Sequence, residues 1–329
     1  MAIVWTYPGQ GVQYPQMLHE VLAYTKQWGD DLHLIAQDTL VEASDVLSVD
    51  ALSLDSHTAL RSTRSVQLCL LISGVISARM LQAKQVQPDY VAGLSIGAWT
   101  AATVAGVISF ADALNLVAKR GDLMQYAYPS GYGMTALIGV TRHQVAGWLH
   151  EFIHQNPYNA EVFIANINTA TQIVISGKSS TLQDFIDFIR VSNERVQLAA
   201  KPLNVSVPSH CDLLGAAAHQ LNEVADNYQF SSPKYRYLSG TTARLVTDAT
   251  HIRDDLMFNM SRTIDWESVV GSMWERGIRT QIEAFSGSSL TGLARHIFQQ
   301  GNLLSFQNTR FDSLVLSHSL NRDLYKEVL

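Results

Sequence analysis

Five residues, Gly93-Leu94-Ser95-Ile96-Gly97, constrain this chain more than any other segment. They fit G-x-S-x-G, and the flanking pattern matters as much as the letters. The stretch 88–92 reads as a short apolar strand, and 98–105 is compatible with a helix. A serine on a sharp strand-to-helix turn needs small neighbours on both sides, and the glycines supply them. Such a turn lifts the hydroxyl clear of the backbone. The helix start behind it favours developing negative charge, and the N–H of Ile96 would point at an oxyanion. The bland alternative is an ordinary Gly-Ser turn.

The rest of the chain reads as α/β. The first strand covers residues 3–7 and runs into the turn Pro8-Gly9-Gln10-Gly11, and a helical pattern covers 65–81. Strands alternating with helices predict a parallel sheet. The rhythm changes after Tyr128-Pro129-Ser130-Gly131-Tyr132-Gly133, a domain-linking turn too short for a dinucleotide loop. Strands are expected at 134–140, 162–166, 172–176 and 195–199, with helices at 142–155 and 180–191. That order is β-α-β-β-α-β, the split ferredoxin-like unit. The expectation is a large α/β-hydrolase-like domain, residues 1–132 and 202–329, with a ferredoxin-like small domain, 133–201, inserted into it.

Composition narrows the classes. With 329 residues and 47% hydrophobic content the chain is long and apolar enough for a sizeable core. Charged residues are 16%, against roughly 25% in an average soluble protein. Lys and Arg number 23 against 29 Asp and Glu, a net charge of −6, so there is no basic footprint for nucleic acid. The apolar run at 68–76 is short of the roughly 20 residues a bilayer needs. The N-terminus lacks a basic leader and reads as a strand. Cys69 and Cys211 have no metal-like spacing. A soluble, reduced, cytoplasmic protein without membrane or nucleic-acid partners is expected.

A nucleophilic serine needs a base. Of eleven histidines, His210 stands out in Val205-Ser206-Val207-Pro208-Ser209-His210-Cys211, where an apolar strand returns the chain to the large domain. A partly buried histidine packed after a proline turn is the bland reading. Only 119 residues follow it, which fits poorly with the Ser-acid-His order of ordinary α/β-hydrolases. Arg120 lies 25 residues past the serine, at the end of an apolar helix. It could clamp a carboxylate, or be a solvated helix-end charge. Gln67 could face the pocket, but a buried amide bonded to backbone is preferred. Cys211 reads as a small buried residue. His150-Glu151-Phe152-Ile153-His154 satisfies H-E-x-x-H. Val145, Leu149 and Phe152 mark the apolar stripe of that helix, which leaves both histidines facing solvent, so no metal site is expected.

Several motifs now coincide. Tyr7-Pro8-Gly9-Gln10-Gly11, Gly93-Leu94-Ser95-Ile96-Gly97, Arg120-Gly121, Asn166-Ile167-Asn168 and Ser206-Val207-Pro208-Ser209-His210 resemble, in order, the malonyl-CoA:acyl-carrier-protein transacylases. Leu290-Thr291-Gly292-Leu293 is similar too, and the likeness runs from about residue 3 to 310. Leu60-Arg61-Ser62-Thr63, the run from Ala127 to Met134, Ile252-Arg253-Asp254-Asp255-Leu256 and Asn308-Thr309-Arg310-Phe311-Asp312 further resemble the acyltransferase (epsilon) subunit branch of malonate decarboxylase.

The resemblance implies roles. Ser95 matches the nucleophile and His210 the general base. Arg120 matches the arginine that binds the malonyl carboxylate, and Gln10 and Ile96 the oxyanion donors. Gln67 and Asn259 complete the candidate substrate-binding set. The implied reaction moves malonyl from malonyl-CoA, through an ester on Ser95, to the prosthetic thiol of an acyl carrier protein, with no permanently bound cofactor. In the decarboxylase branch the carrier is a small subunit with a dephospho-CoA-derived arm, and the other decarboxylase subunits would be further partners. The alternatives are a transacylase of fatty acid or polyketide synthesis, a serine thioesterase, and a non-catalytic assembly subunit. There are departures from the family pattern. Asn259 stands where glutamine is usual, seven residues before Trp266. Leu94 replaces a histidine, Ala98 a glutamate, and Phe285-Ser286-Gly287 a Gly-Pro-Gly.

Overall fold

The computed structural model describes residues 2–158, 160–193 and 195–317. β1 (Ala2–Tyr7) is buried along all but its first residue. β-branched and aromatic residues suit it to a sheet covered on both faces. Helices α1 (Met17–Lys26), α2 (Asp30–Leu47) and α3 (Thr63–Ala83) follow. By length and apolarity α3 could cross a membrane, but 83% of its apolar window is buried inside the fold, so here it is a core helix. β2 (Tyr90–Gly93) leads into the serine turn and α4 (Gly97–Val104) leaves it. α5 (Phe110–Ala127) is capped by Ser109, whose side chain accepts from the Asp112 N–H.

The middle of the chain runs β3 (Tyr132–Ile138), α6 (Arg142–Gln155), β4 (Val162–Thr169), β5 (Gln172–Lys178), α7 (Ser179–Ser192) and β6 (Ala199–Pro202). Thr141 and Gln144 form a capping box, which fixes the start of α6 where the sequence places it. The returning chain adds α8 (Gly215–Ala225), β7 (Arg236–Leu238), β8 (Leu245–Val246), α9 (Ala249–Phe258) and β9 (Ile264–Asp265). It continues with α10 (Trp266–Glu275), β10 (Ile278–Glu283), α11 (Ser289–Ala294) and β11 (Asn302–Ser305).

These strands make two sheets. The first has the order β11-β10-β1-β2-β7-β8, parallel except for β8. One face packs on a core that includes Trp5, Tyr7, Leu71 and Trp99, and the other on a core that includes Val4, Trp266 and Ile278. The second sheet has the order β6-β3-β5-β4-β9. Its β6-β3-β5-β4 part is antiparallel throughout. α6 and α7 cover one face through Phe152, Phe185, Ile167 and Ile175. Met134, Ala136, Ala165 and Val174 group on its other side. β9 pairs parallel with β4, Asn166 against Ile264 and Ile167 against Asp265, so the returning chain stitches the second sheet to the elements beside the first.

Three details differ from the sequence reading. The last strand of the second sheet starts at Ala199 instead of ending there. Tight turns occupy the preceding stretch, with Val196 N–H donating to Asn193 and Leu198 N–H to Val196. α5 continues to Ala127, so Arg120 lies inside that helix and not at its end. β4 is also irregular. Ile164 pairs with Ile175 but Asn166 with Val174, and Ile167 pairs with Ile173 but Thr169 with Gln172. Ala165 and Asn168 are therefore extra residues, each a bulge in the ladder.

Candidate active site

The site begins where β1 and β2 end side by side, Tyr7 opposite Gly93. In open parallel sheets this carboxyl edge is where ligands gather. Two glycines make the turn possible. A Cβ on Gly93 would lie 1.9 Å from the carbonyl carbon of Gly97, and one on Gly97 would lie 2.0 Å from the Tyr7 carbonyl oxygen. Neither distance is physically attainable, so both positions require glycine. Between them Ser95 takes φ +57°, the left-handed region. Its residue is 6% exposed at the floor of a cleft of about 530 Å³.

His210 arrives from far along the chain, also at positive φ, +65°. Its N–H donates to the Met260 carbonyl at 2.7 Å. Nδ1 lies 2.6 Å from the Asn259 carbonyl oxygen and Nε2 lies 2.9 Å from Ser95 Oγ. A carbonyl can only accept, so Nδ1 carries the proton and Nε2 is the acceptor for the Ser95 hydroxyl. Burial pulls the imidazole down to about 4, helped by the nearby Arg120 charge and opposed by the Asn259 carbonyl. At neutral pH the ring is an uncharged base.

Arg120 is fully buried behind the serine. One terminal nitrogen donates to Gln67 Oε1 at 2.6 Å. The other donates to Asn259 Oδ1 at 3.1 Å and reaches Ser95 Oγ at 3.4 Å. Its Nε has no hydrogen-bond partner among the described residues. Burial lowers the guanidinium to about 9, so it stays charged at neutral pH. Among the described residues no carboxylate lies within ion-pair distance of it. A buried cation held only by neutral groups is costly, and an anion brought beside it would offset that cost.

Gln67 differs from the expectation of an amide bonded to backbone. Its Oε1 accepts from Arg120, and its Nε2 donates to Gln10 Oε1 and Met124 Sδ, each at 3.3 Å. The α3–α5 packing turns it toward Arg120. Asn259 caps α9 and ties three site residues at once. Its carbonyl holds His210, its Oδ1 holds Arg120, and its Nδ2 donates to the Ser95 carbonyl at 3.3 Å. Gln10 lines the cleft, while Ile96 is buried directly after Ser95. Neither backbone N–H donates to an acceptor among the described residues.

Sequence reasoning assigned no part to two carboxylates behind the site. Glu283, at the end of β10, accepts from the N–H groups of Leu290 at 3.0 Å and Thr291 at 2.7 Å. It thereby anchors the segment whose Ser289, Leu290 and Gly292 line the cleft. Asp255 accepts from Tyr237 Oη at 2.8 Å and Ser239 Oγ at 2.9 Å, which fixes α9 four residues before Asn259. Burial pushes both carboxyls above the ordinary range. No motif in the sequence marks Glu283, the last residue of a strand that is itself mostly polar. His150 and His154 lie on the exposed face of α6, opposite buried Val145 and Phe152. Cys211 is buried, its Sγ donating to the Pro208 carbonyl at 3.3 Å, and burial raises its thiol.

Residues 4–305 match the acyl transferase domain family. The chain belongs to that family. Among acyl transferase relatives it is 32% identical over 298 residues to the malonyl CoA-acyl carrier protein transacylase of Salmonella typhimurium, covering 89% of this chain and 92% of that one. It is 31% identical to the transacylase of the same name from Haemophilus influenzae, covering 88% and 90%. The acyl transferase fold is equally close to solved structures. FabD from Acinetobacter baumannii superposes with a TM-score of 0.86 at 26% identity, over 97% of this chain and 98% of that one. A malonyl-transacylase solved in complex with a type II polyketide synthase acyl-carrier protein gives 0.82 at 30% identity, over 93% and 94%.

Proposed function

We propose that the chain is a malonyl-CoA:acyl-carrier-protein S-malonyltransferase that works through a malonyl ester on Ser95. The observation that carries this reading is the buried, uncompensated Arg120 charge 3.4 Å from a serine oxygen that His210 faces. Nε2 takes the Ser95 proton as Oγ attacks the thioester carbonyl. The backbone N–H groups of Gln10 and Ile96 are free to receive the oxyanion, and one such donor is commonly worth about 3 kcal/mol. The C–S bond breaks, the thiolate of coenzyme A takes the proton from His210 and leaves, and malonyl stays on Oγ. A carrier thiol then gives its proton to His210 and attacks the same carbonyl, and the ester bond breaks as Ser95 Oγ takes that proton back from His210. The far carboxylate of malonyl supplies the anion that Arg120 lacks, taking over the contact Arg120 makes with Oγ in the free enzyme.

The names of the acyl transferase relatives support a general acyl carrier protein as acceptor over the narrower malonate decarboxylase carrier. The two differ in the acceptor and not in the site. We also read residues 1–132 with 202–329 as one α/β-hydrolase-like unit and 133–201 as an inserted ferredoxin-like unit, supported by the β6-β3-β5-β4 order with two helices on one face.

One experiment tests the reading. The protein is incubated with malonyl-CoA labelled in the malonyl group, and acyl carrier proteins with phosphopantetheine or dephospho-CoA-derived arms are then added separately. Label is expected on Ser95 and then on the phosphopantetheine carrier. Release to water would make it a hydrolase. Transfer only to the dephospho-CoA-derived arm would make it the decarboxylase subunit. No adduct would end the proposal.

A further inference from the structure

One buried carboxylate near the site touches neither a cation nor the reacting atoms. Asp255 of α9 is 5% exposed, and hydroxyl groups hold its side chain. Tyr237 Oη donates to Oδ2 at 2.8 Å. Ser239 Oγ donates to Oδ1 at 2.9 Å, and Thr241 Oγ1 donates to the same oxygen. Among the described residues no Lys, Arg or His lies within ion-pair distance of it. Arg262, the cation whose charge reaches it, is paired with Asp254. A carboxylate buried on such terms is costly, so its place in the fold matters.

The hydroxyls belong to the side of the site that delivers the nucleophile. Tyr237 lies in β7 opposite Val91 of β2, the strand that leads to Ser95. Ser239 and Thr241 belong to the turn after β7. That turn approaches the serine turn so closely that a Cβ on Gly240 would lie 3.2 Å from the Gly93 carbonyl oxygen. The backbone of Asp255 faces the base instead. Its carbonyl accepts the N–H of Asn259, one helical turn on. The Asn259 carbonyl stands 2.6 Å from His210 Nδ1, and the His210 N–H donates to the next carbonyl, that of Met260. One unbroken line of contacts therefore runs from the β7 end, through Asp255, to the imidazole.

We propose that Asp255 is a positioning residue for the base: it clamps the last turn of α9 to the end of β7, so that the Asn259 carbonyl meets His210 Nδ1 while Nε2 faces Ser95. In a Ser-His-Asp triad the carboxylate bonds the imidazole directly. Here a carbonyl takes that place, and the carboxylate stands one contact further back. What it supplies is position and not charge. Its three partners are hydroxyls, which accept as well as donate. An amide of the same shape can therefore remake all three contacts, with Tyr237 Oη turning from donor to acceptor. The proposal rests on the Ser95–His210 pairing of the reading above and on no particular acyl donor.

The test labels Ser95 of the full chain with diisopropyl fluorophosphate, an uncharged reagent. Oγ displaces fluoride from its phosphorus as His210 takes the hydroxyl proton, so the labelling rate, followed by intact-protein mass spectrometry, reports the Ser95–His210 pair alone. Asp255→Ala is expected to lower that rate about 10- to 100-fold, the effect of a base displaced by up to about 1 Å. Asp255→Asn should stay within about threefold of the wild type, because its contacts are remade. The second readout is the proton resonance of His210 Nδ1–H, which a 2.6 Å bond to a carbonyl carries far downfield. It should move upfield in Asp255→Ala and hold its place in Asp255→Asn. A role in stability alone would leave the resonance of the folded Asp255→Ala protein where it is. That result, wild-type labelling by Asp255→Ala, or equal damage from Asp255→Asn would overturn the proposal. Should Asp255→Ala not fold, the double variant Tyr237→Phe/Thr241→Val removes two anchors from the other side, and both readouts should move in the same direction. Wild-type labelling by this reagent without any malonyl adduct would refute the donor assigned above and leave the Asp255 comparison intact.

Discussion

Ser95, His210 and Arg120 are each held in an uncomfortable state, and each state has a measurable consequence. Ser95→Ala is expected to abolish the malonyl adduct, checked by intact-protein mass spectrometry. Arg120→Ala removes the cation beside Ser95. Loss of a buried charge-assisted contact costs about 2–5 kcal/mol, so the rate with malonyl-CoA should fall about 30- to 5000-fold. Acetyl-CoA, which has no carboxylate to place, should lose little, and competition between the two donors reads the change. His210 gives a pH signature. Its pKa is about 4 in the fold against an ordinary 6.5. Between those values the unfolded chain binds more protons, so the stability gained by keeping the ring neutral is complete above pH 6.5 and drains as pH falls toward 4. The loss is about 3 kcal/mol in all. His210→Gln should flatten that part of the stability-pH curve measured by urea unfolding. In the wild type, the acylation rate should fall as pH drops through about 4. Because the Arg120 charge helps hold the imidazole down, Arg120→Ala should move that acid limb to higher pH.

Glycine spacing and strand phase govern the elements that present these residues. Gly97→Ala would push a methyl group onto the Tyr7 carbonyl, 2.0 Å away, so β1 and the turn must separate. A displacement of about 1 Å at a nucleophile costs about 100-fold, and the adduct rate should drop at least that far. The turn was legible in the sequence because its requirement is local: glycines at both ends, a strand before and a helix after. The expected bounds of α6, 142–155, hold as well, and its start is fixed by a local feature, the Thr141–Gln144 cap. The outward-facing His150 and His154 followed from helical periodicity. What the sequence hid was decided by partners distant along the chain. Arg120 reads as a helix-end charge until the continuation of α5 to Ala127 and the packing of α3 bury it. Gln67 reads as a backbone-bonded amide until Arg120 appears beside it. Asn166 falls in an expected strand and in a motif of the resemblance, but the direction it faces is decided by the bulge at Ala165, a property of the β4–β5 pairing that leaves no mark in composition or periodicity.

At the scale of the whole molecule, the fold carries a cation that lacks its counter-charge. Acylation with malonate should supply it, and ligation to the folded form alone raises stability. The malonyl-enzyme is therefore expected to melt a few degrees above the free enzyme. An acetyl-enzyme should not, and differential scanning calorimetry of the two adducts makes the comparison. The two sheets build the cleft jointly: the first gives the serine turn, the second gives the wall that carries Asn166 and Gln172, and β9 fastens one to the other through Asn166 and Ile167. With its two banks joined in this way, the cleft is expected to seat one thioester arm at a time, so donor and acceptor would queue for one berth and spent coenzyme A should compete with the incoming carrier instead of leaving by a separate door.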